Sequence, residues 1–284
     1  MRIERYEDPA EFFSLVAPFL ERREAEHNLQ LGFRARLEAD RHAYGPADPL
    51  LYAALDATAN VTAVATQTPP FGLLLSQVDD PAAVSALTAR LVADGAELPT
   101  VSGPVEVARS FAEQWASFTG ARTAVQMEER IYEATAVVRP HGVPGSMRPY
   151  GASDRALALE WMRAFVDEAV PDAPEGSAER FVEGRTTGSG SFVLWQHDEC
   201  DVSIAGHAGE TPNGVRVGPV YTPPALRGRG YASALTAALT RQLLERKRFC
   251  FLFTDLANPT SNSIYQRIGY RPVTDVTLWR FEPA

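Results

Sequence analysis

Apolar residues recur at helical spacing near the start of the chain, where Phe12, Leu15, Val16 and Phe19 form a stripe within Asp8–Arg41. The Arg- and Glu-rich run that follows reads as a solvated helical face. The pattern then changes to runs of β-formers. L-L-Y-A-A-L (50–55), N-V-T-A-V-A-T-Q-T (60–68) and F-G-L-L-L-S-Q-V (71–78), bounded by Ala-Asn and Pro-Pro breaks, predict an antiparallel meander. Asp79 is expected to cap a helix through Val92 that Gly95 ends, and Thr100 and Val101 mark a short strand. Pro104 opens a helix carrying Val107, Phe111 and Trp115, and a last strand spans Val125 to Val137.

A Pro- and Gly-rich stretch, R-P-H-G-V-P-G-S-M from Arg139 to Met147, separates this half from the next. Beyond it M-R-P-Y starts a strand, and Ser153 or Asp154 can cap a helix through Trp161, Phe165 and Glu168. Pro171 and Pro174 break that helix before a shorter one around Phe181. S-F-V-L-W-Q-H and C-D-V-S-I-A-G-H, joined by Asp198 and Glu199, form a hairpin. A strand from Val217 runs through a glycine-rich turn into a helix with Leu235, Ala238, Leu239 and Leu243. R-F-C-F-L-F-T-D (248–255) is a buried strand, and a short helix follows with Asn258 as N-cap, Pro259 in its first turn and Gly269 past its end. The two halves share one succession of elements, so the reading is a tandem structural repeat: a unit over 1–138, a linker over 139–146 and a unit over 147–284. Helices alternating with such strands predict an α/β chain with a mixed (α+β) sheet.

Composition narrows the function. The chain has 284 residues, 45% hydrophobic and 22% charged, as globular proteins do. A net charge of -9 argues against a nucleic-acid partner. The N-terminus lacks an apolar core of the secretory type and no run approaches 18 apolar residues, so no membrane role and a cytoplasmic location are expected. Cys200 and Cys250 do not make a disulfide framework. No metal is expected either: neither H-x-x-x-H nor paired cysteines occur, and no G-x-S-x-G offers a serine nucleophile.

The chemistry is concentrated at V-G-P-V-Y-T-P-P-A-L-R-G-R-G-Y-A, Val217 to Ala232. Free amides in the first turn of the helix and the positive end of its dipole make an anion site. Gly228 and Gly230 let the backbone approach the anion, and Arg227 and Arg229 add positive charge. No triphosphate loop is present, and the dinucleotide pattern fails at its third glycine. Arg227, Gly230 and Ala232 do fit [QR]-x-x-G-x-[GA], and Asn258, Tyr265, Gly269 and Tyr270 follow in order. From Met147 to Ala284 the sequence thereby resembles the GNAT superfamily of N-acetyltransferases.

That resemblance implies two GNAT-like units in tandem, of which only the C-terminal one has a coenzyme A pyrophosphate loop. The first unit has Q-V-D-D-P-A-A at the equivalent place, acidic and without glycine. The resemblance further implies acetyl-coenzyme A as co-substrate, bound by Val220, Tyr221, Thr222, Arg227, Gly228, Arg229, Gly230, Tyr231, Ala232 and Asn258. Pro223 and Pro224 lack an N–H, so the strand's ladder stops by Thr222 and the strand can splay from its neighbour for the pantetheine arm. A backbone N–H near Val220 would polarise the thioester, and Tyr265 would protonate the leaving thiolate. Phe165, Glu168 and His207 are candidates for substrate contact or for the base, with Glu210 a further candidate base. The acceptor expected is a small-molecule amine; a protein or peptide amine, or a non-catalytic coenzyme A-binding regulator, are the alternatives. An oligomer is compatible with all of these.

Overall fold

The computed structural model describes residues 1–170, 173–186 and 190–283. In chain order the first half contains β1 (Arg2–Tyr6), α1 (Pro9–Leu20), α2 (Asn28–Gly32), α3 (Arg34–Ala39), β2 (Leu50–Leu55), β3 (Val61–Gln67) and β4 (Leu73–Leu75). It continues with α4 (Ala82–Ala93), β5 (Thr100–Pro104), α5 (Val105–Thr119) and β6 (Arg122–Ala134). The second half contains β7 (Ser146–Pro149), α6 (Arg155–Ala169), α7 (Ser177–Thr186), β8 (Ser191–His197), β9 (Cys200–Glu210) and β10 (Gly214–Tyr221). It ends with α8 (Tyr231–Leu243), β11 (Phe249–Asp255), α9 (Pro259–Arg267) and β12 (Arg271–Glu282). The order β2-β3-β4-α4-β5-α5-β6 recurs as β8-β9-β10-α8-β11-α9-β12, which is the tandem repeat the sequence implies.

Contacts group the residues into two compact units: 1–131, 254–257 and 273–284 in unit 1; 132–253 and 258–272 in unit 2. The strand order in unit 1 is β1-β2-β3-β4-β5-β12-β6. Its closing strand therefore comes from the C-terminal end of the chain: β12 pairs antiparallel with β5, from Val276–Pro104 to Arg280–Thr100. Arg130 forks onto Asp275 at 2.6 and 2.8 Å within the same unit. One face of this sheet is covered by Phe12, Phe13, Val16, Phe19 and Leu20 of α1, the other by residues of α4 and α5 such as Leu87, Phe111 and Trp115.

Two local expectations in unit 1 are corrected. The Asp8–Arg41 helix is broken into α1, a 3₁₀ turn at Glu21–Arg23, α2 and α3, because the charged run offers no apolar stripe to bury. His27 is drawn inside instead, with Nδ1 2.9 Å from Leu20 O and Nε2 accepting from the Gln77 N–H at 3.0 Å. Asp79 does not cap α4; Arg22 and Arg23 hold its carboxylate at 2.7 and 3.5 Å, and Asp80 accepts from the Ala82 N–H.

In unit 2 the strand order is β11-β10-β9-β8-β7. The face carrying Phe192, Leu194, Ile204 and Tyr221 packs on α6 and α7, while the face carrying Ala205, Val215 and Val217 packs on Leu235, Leu239 and Leu243 of α8. The hairpin turn is carried by Asp198 and Glu199, both at positive φ (48° and 61°), as a two-residue turn between right-twisted strands requires. Pro171, expected to break the helix, lies outside the described residues. Among those residues no helix is long and apolar enough to cross a membrane.

Candidate functional site

The site grows out of the far end of β10. This strand runs parallel to β11 only at Gly214–Phe249, Val215–Cys250 and Arg216–Phe251. Pairing stops there, earlier than Pro223 and Pro224 demand, because one extra residue enters β10 between Val217 and Val220 and Pro219 lacks an N–H. Toward β9 the ladder resumes, with Val220 opposite Ala205 and Tyr221 opposite Ile204. The bulge thus separates β10 from β11 while keeping its end attached to the hairpin. Ser203 anchors that end, donating to Tyr221 O at 3.0 Å and sharing a 2.9 Å hydrogen bond with the Thr222 hydroxyl.

After a 3₁₀ turn at Pro224–Leu226, Gly228 and Gly230 adopt left-handed backbone (φ 77° and 83°) and α8 begins at Tyr231 with no side-chain cap. The two glycines do different work. A Cβ at Gly228 would meet nothing within 4 Å, whereas one at Gly230 would lie 2.9 Å from Val143 Cγ2. Uncapped amides and the positive dipole end therefore adjoin open space at Gly228, the arrangement an anion needs. Ala232 sits in the first turn. Tyr231 turns its ring into the core, its hydroxyl 3.0 Å from His197 Nδ1, so it can offer a ligand only main chain.

The two loop arginines also differ. Arg227 donates to Glu168 Oε2 at 2.6 Å and to Thr222 O at 2.8 Å, and lies 5.6 Å from the Tyr221 ring centroid. Arg229 is exposed and forms no ion pair within the described residues. Glu168 also accepts from the Tyr221 hydroxyl at 3.3 Å. Burial, helped by the Glu168 charge, raises the pKa of that phenol. Behind them stands an aromatic wall: Trp161 faces Tyr221 at 6.4 Å, and Phe165 meets Phe181 edge-on at 6.1 Å. Phe165, Glu168, Tyr221 and Arg227 are thus brought together at one end of the α6–α7 face.

Tyr265 projects from α9 into the rim of the α8-side core, edge-on to Tyr270 at 6.0 Å, and burial pushes its hydroxyl up to about 12. It is protonated throughout the neutral range. Asn258 spends its Oδ1 on the Ser261 N–H at 3.0 Å, capping α9. Tyr132, which sequence reasoning missed, steadies the same helix: it donates to Asn262 Oδ1 and accepts from Gln266 Nε2, both at 3.0 Å.

His207 does not join the group. It shares the α8 face with Ala205, is buried with Nδ1 unpartnered, and is held down at about 4 by that burial and by Arg246. A ring that stays neutral at pH 5 is poorly suited to accept an amine proton. Glu210 is likewise taken, by Arg246 at 2.6 Å and Lys247 at 3.2 Å. Arg185 of α7, also missed, is buried and donates to Gly218 O at the bulge; its signal would have been an arginine in an otherwise uncharged stretch, R-T-T-G-S-G-S.

Residues 204–280, the span that holds β10, the loop, α8, β11 and α9, match the family model of FR47-like proteins. In three dimensions the chain aligns over 98% of its length with 97% of a tandem GNAT protein from the clavulanic acid biosynthesis pathway, at 12% identity and TM-score 0.60. The chain has the tandem GNAT fold. A GNAT-family acetyltransferase from Colwellia psychrerythraea aligns over 99% of this chain and 100% of its own at 10% identity and TM-score 0.60. A GCN5-related N-acetyltransferase from Sphaerobacter thermophilus aligns over 98% and 95% at 18% identity and TM-score 0.59. No curated protein sequence matches the chain. Within this tandem GNAT fold, the open loop before α8 and the parting of β10 from β11 are the features of unit 2 that fit a nucleotide diphosphate and an extended arm.

Proposed function

We propose that unit 2 transfers an acetyl group from acetyl-coenzyme A to the amine of a small molecule, directly and in a ternary complex. The observation that carries this reading is the uncapped start of α8 opening on empty space at Gly228, beside a strand that has left its parallel neighbour after Arg216. Main-chain amides over Gly228–Ala232 and the Arg229 guanidinium hold the diphosphate. Arg227 contributes its main chain, since its side chain is committed to Glu168 and Thr222.

The co-substrate supplies a thioester whose acetyl carbon is open to attack. Main-chain groups of Val220 and Thr222 align the arm as an added strand, and the Val220 N–H faces the carbonyl oxygen, where negative charge develops. As the C–N bond forms and the C–S bond breaks, Tyr265 gives its proton to the departing thiolate and is reprotonated, through solvent, by the proton that the newly acylated nitrogen sheds. The acceptor enters along Trp161, Phe165, Phe181 and Tyr221. Glu168, already paired with Arg227, presents a carboxylate that attracts its ammonium, and the proton that must leave before attack passes to solvent. That aromatic wall favours an amine with an apolar body over a flexible charged one.

Unit 1, on this reading, binds no coenzyme A. Its equivalent strands stay close, because a Cβ at Gly103 would lie 3.0 Å from Leu75 Cβ. The turn before α4 is also occupied: the Gln77 N–H goes to His27 and the Asp79 N–H to Thr62 O at 2.8 Å. Two carboxylates there repel an anion. The test is an amine panel followed by free-thiol release. Amine-dependent release with at least one small amine supports the proposal; tight acetyl-coenzyme A binding without release for any amine removes it.

A further inference from the structure

The bulge in β10 is held by a residue that the proposed reaction does not otherwise use. Arg185 reaches from α7 to Gly218 O, donating through Nε at 3.2 Å and through Nη2 at 2.5 Å, and its Nη1 donates to Phe181 O at 3.2 Å. The guanidinium carbon lies 5.5 Å from the ring centroids of both Phe181 and Phe192. The chain makes room for it: a Cβ at Gly206 would sit 2.6 Å from Arg185 Nε, and one at Gly190 3.3 Å from its Cα. The side chain is 7% exposed and, among the described residues, has no carboxylate partner. Burial, reinforced by the charge of Arg216, pulls its pKa down to about 9.

A buried cation without a counter-ion is costly, and an apolar residue of the same length would cost less. The structure aims its Nε and Nη2 together at one carbonyl, that of the residue whose φ of 135° turns the strand, while Nη1 stays on Phe181 O of its own helix. Gly218 is joined to Pro219, whose ring fixes φ, so holding the Gly218 carbonyl leaves Pro219 ψ as the one soft torsion before the next N–H along the strand. That N–H belongs to Val220, where β10 has already parted from β11. We propose that Arg185 is a positioning residue that locks the β10 bulge through the Gly218 carbonyl and so aims the Val220 amide into the gap. The inference rests on the acetyltransfer reading for its kinetic consequence; the conformational part stands without it.

The test uses the full chain with Arg185→Met, which keeps length and removes fork and charge, and Arg185→Lys, which keeps charge and loses the fork. The Met variant is expected to shift the Val220 amide resonance and speed its hydrogen exchange in the ligand-free protein. Its kcat falls about 100-fold, the scale of losing one aimed donor, with the coenzyme A Kd within about threefold. The Lys variant falls between and serves alone if the Met variant does not fold. A Val220 amide unmoved in both variants overturns the inference, as does a loss of kcat matched by equal losses of affinity and stability. If the wild-type protein acetylates nothing, the acetyltransfer reading fails by itself and the Val220 amide decides the positioning role.

Discussion

Replacing Gly228 with Asp puts a carboxylate where the account places a diphosphate. The site admits the side chain, since a Cβ there meets nothing within 4 Å. The cost lies in the left-handed backbone (φ 77°), about 1 kcal/mol for a residue with a Cβ and less for Asp or Asn, which tolerate this region. Gly230 is a poorer choice, because its Cβ would press on Val143 and confuse folding with binding. At roughly 6 Å from one ligand charge, with an effective dielectric near 20, the added carboxylate costs about 3 kcal/mol, or on the order of 100-fold in affinity. Gly228→Asn has the same shape without the charge and isolates that term. The assay is calorimetric titration with coenzyme A at about 0.1 M and again at about 1 M salt, where screening narrows the gap between the variants. Equal affinities for the Asp and Asn proteins at low salt would refute the reasoning.

Three other outcomes are expected. Tyr265→Phe lowers kcat by about 100-fold with little change in the KM for acetyl-coenzyme A; the wild-type rate shows no limb from this phenol below about pH 11, since burial holds it near 12. His27 and His207 sit near 4 in the folded protein against an ordinary 6.5. The unfolded chain therefore binds more protons below pH 6.5, and stability from each falls between pH 6.5 and 4, then levels off, by at most on the order of 3 kcal/mol. Urea midpoints at about pH 7 and pH 5 check this, with His27→Gln flattening the slope. Tyr270→Phe, which strips the 2.7 Å hydrogen bond from buried Thr240, lowers stability by about 1–2 kcal/mol in the same assay.

The strands and helices were legible wherever periodicity carried through them: the β2-β3-β4 meander, the β8–β9 hairpin, α8, and α9 with its Asn258 cap. What sequence could not give was partnership across long separations. β12 alternates well enough to be a strand, yet nothing in R-P-V-T-D-V-T-L-W-R-F-E says that its neighbour is β5, more than 150 residues earlier. β1, short and two-sided polar, went unread for a related reason: its partner β2 lies far along the chain. In the site, backbone features were legible from glycines and prolines, because those residues constrain φ and hydrogen bonding directly. Side-chain pairings were not. Arg227 reads as a phosphate ligand until Glu168 is seen beside it, His207 reads as a base until its strand face is known, and Arg185 acquires meaning only opposite the Gly218 carbonyl.

The claim that everything else depends on is tested most directly by following backbone amide resonances as coenzyme A is added. The largest shifts are expected at Gly228, Arg229, Gly230, Tyr231 and Ala232, with Val220 and Thr222 following, while Gln77 to Ala83 of unit 1 stay in place. Silent amides over Gly228–Ala232 at saturating ligand, or the largest shifts in the turn before α4, would contradict it.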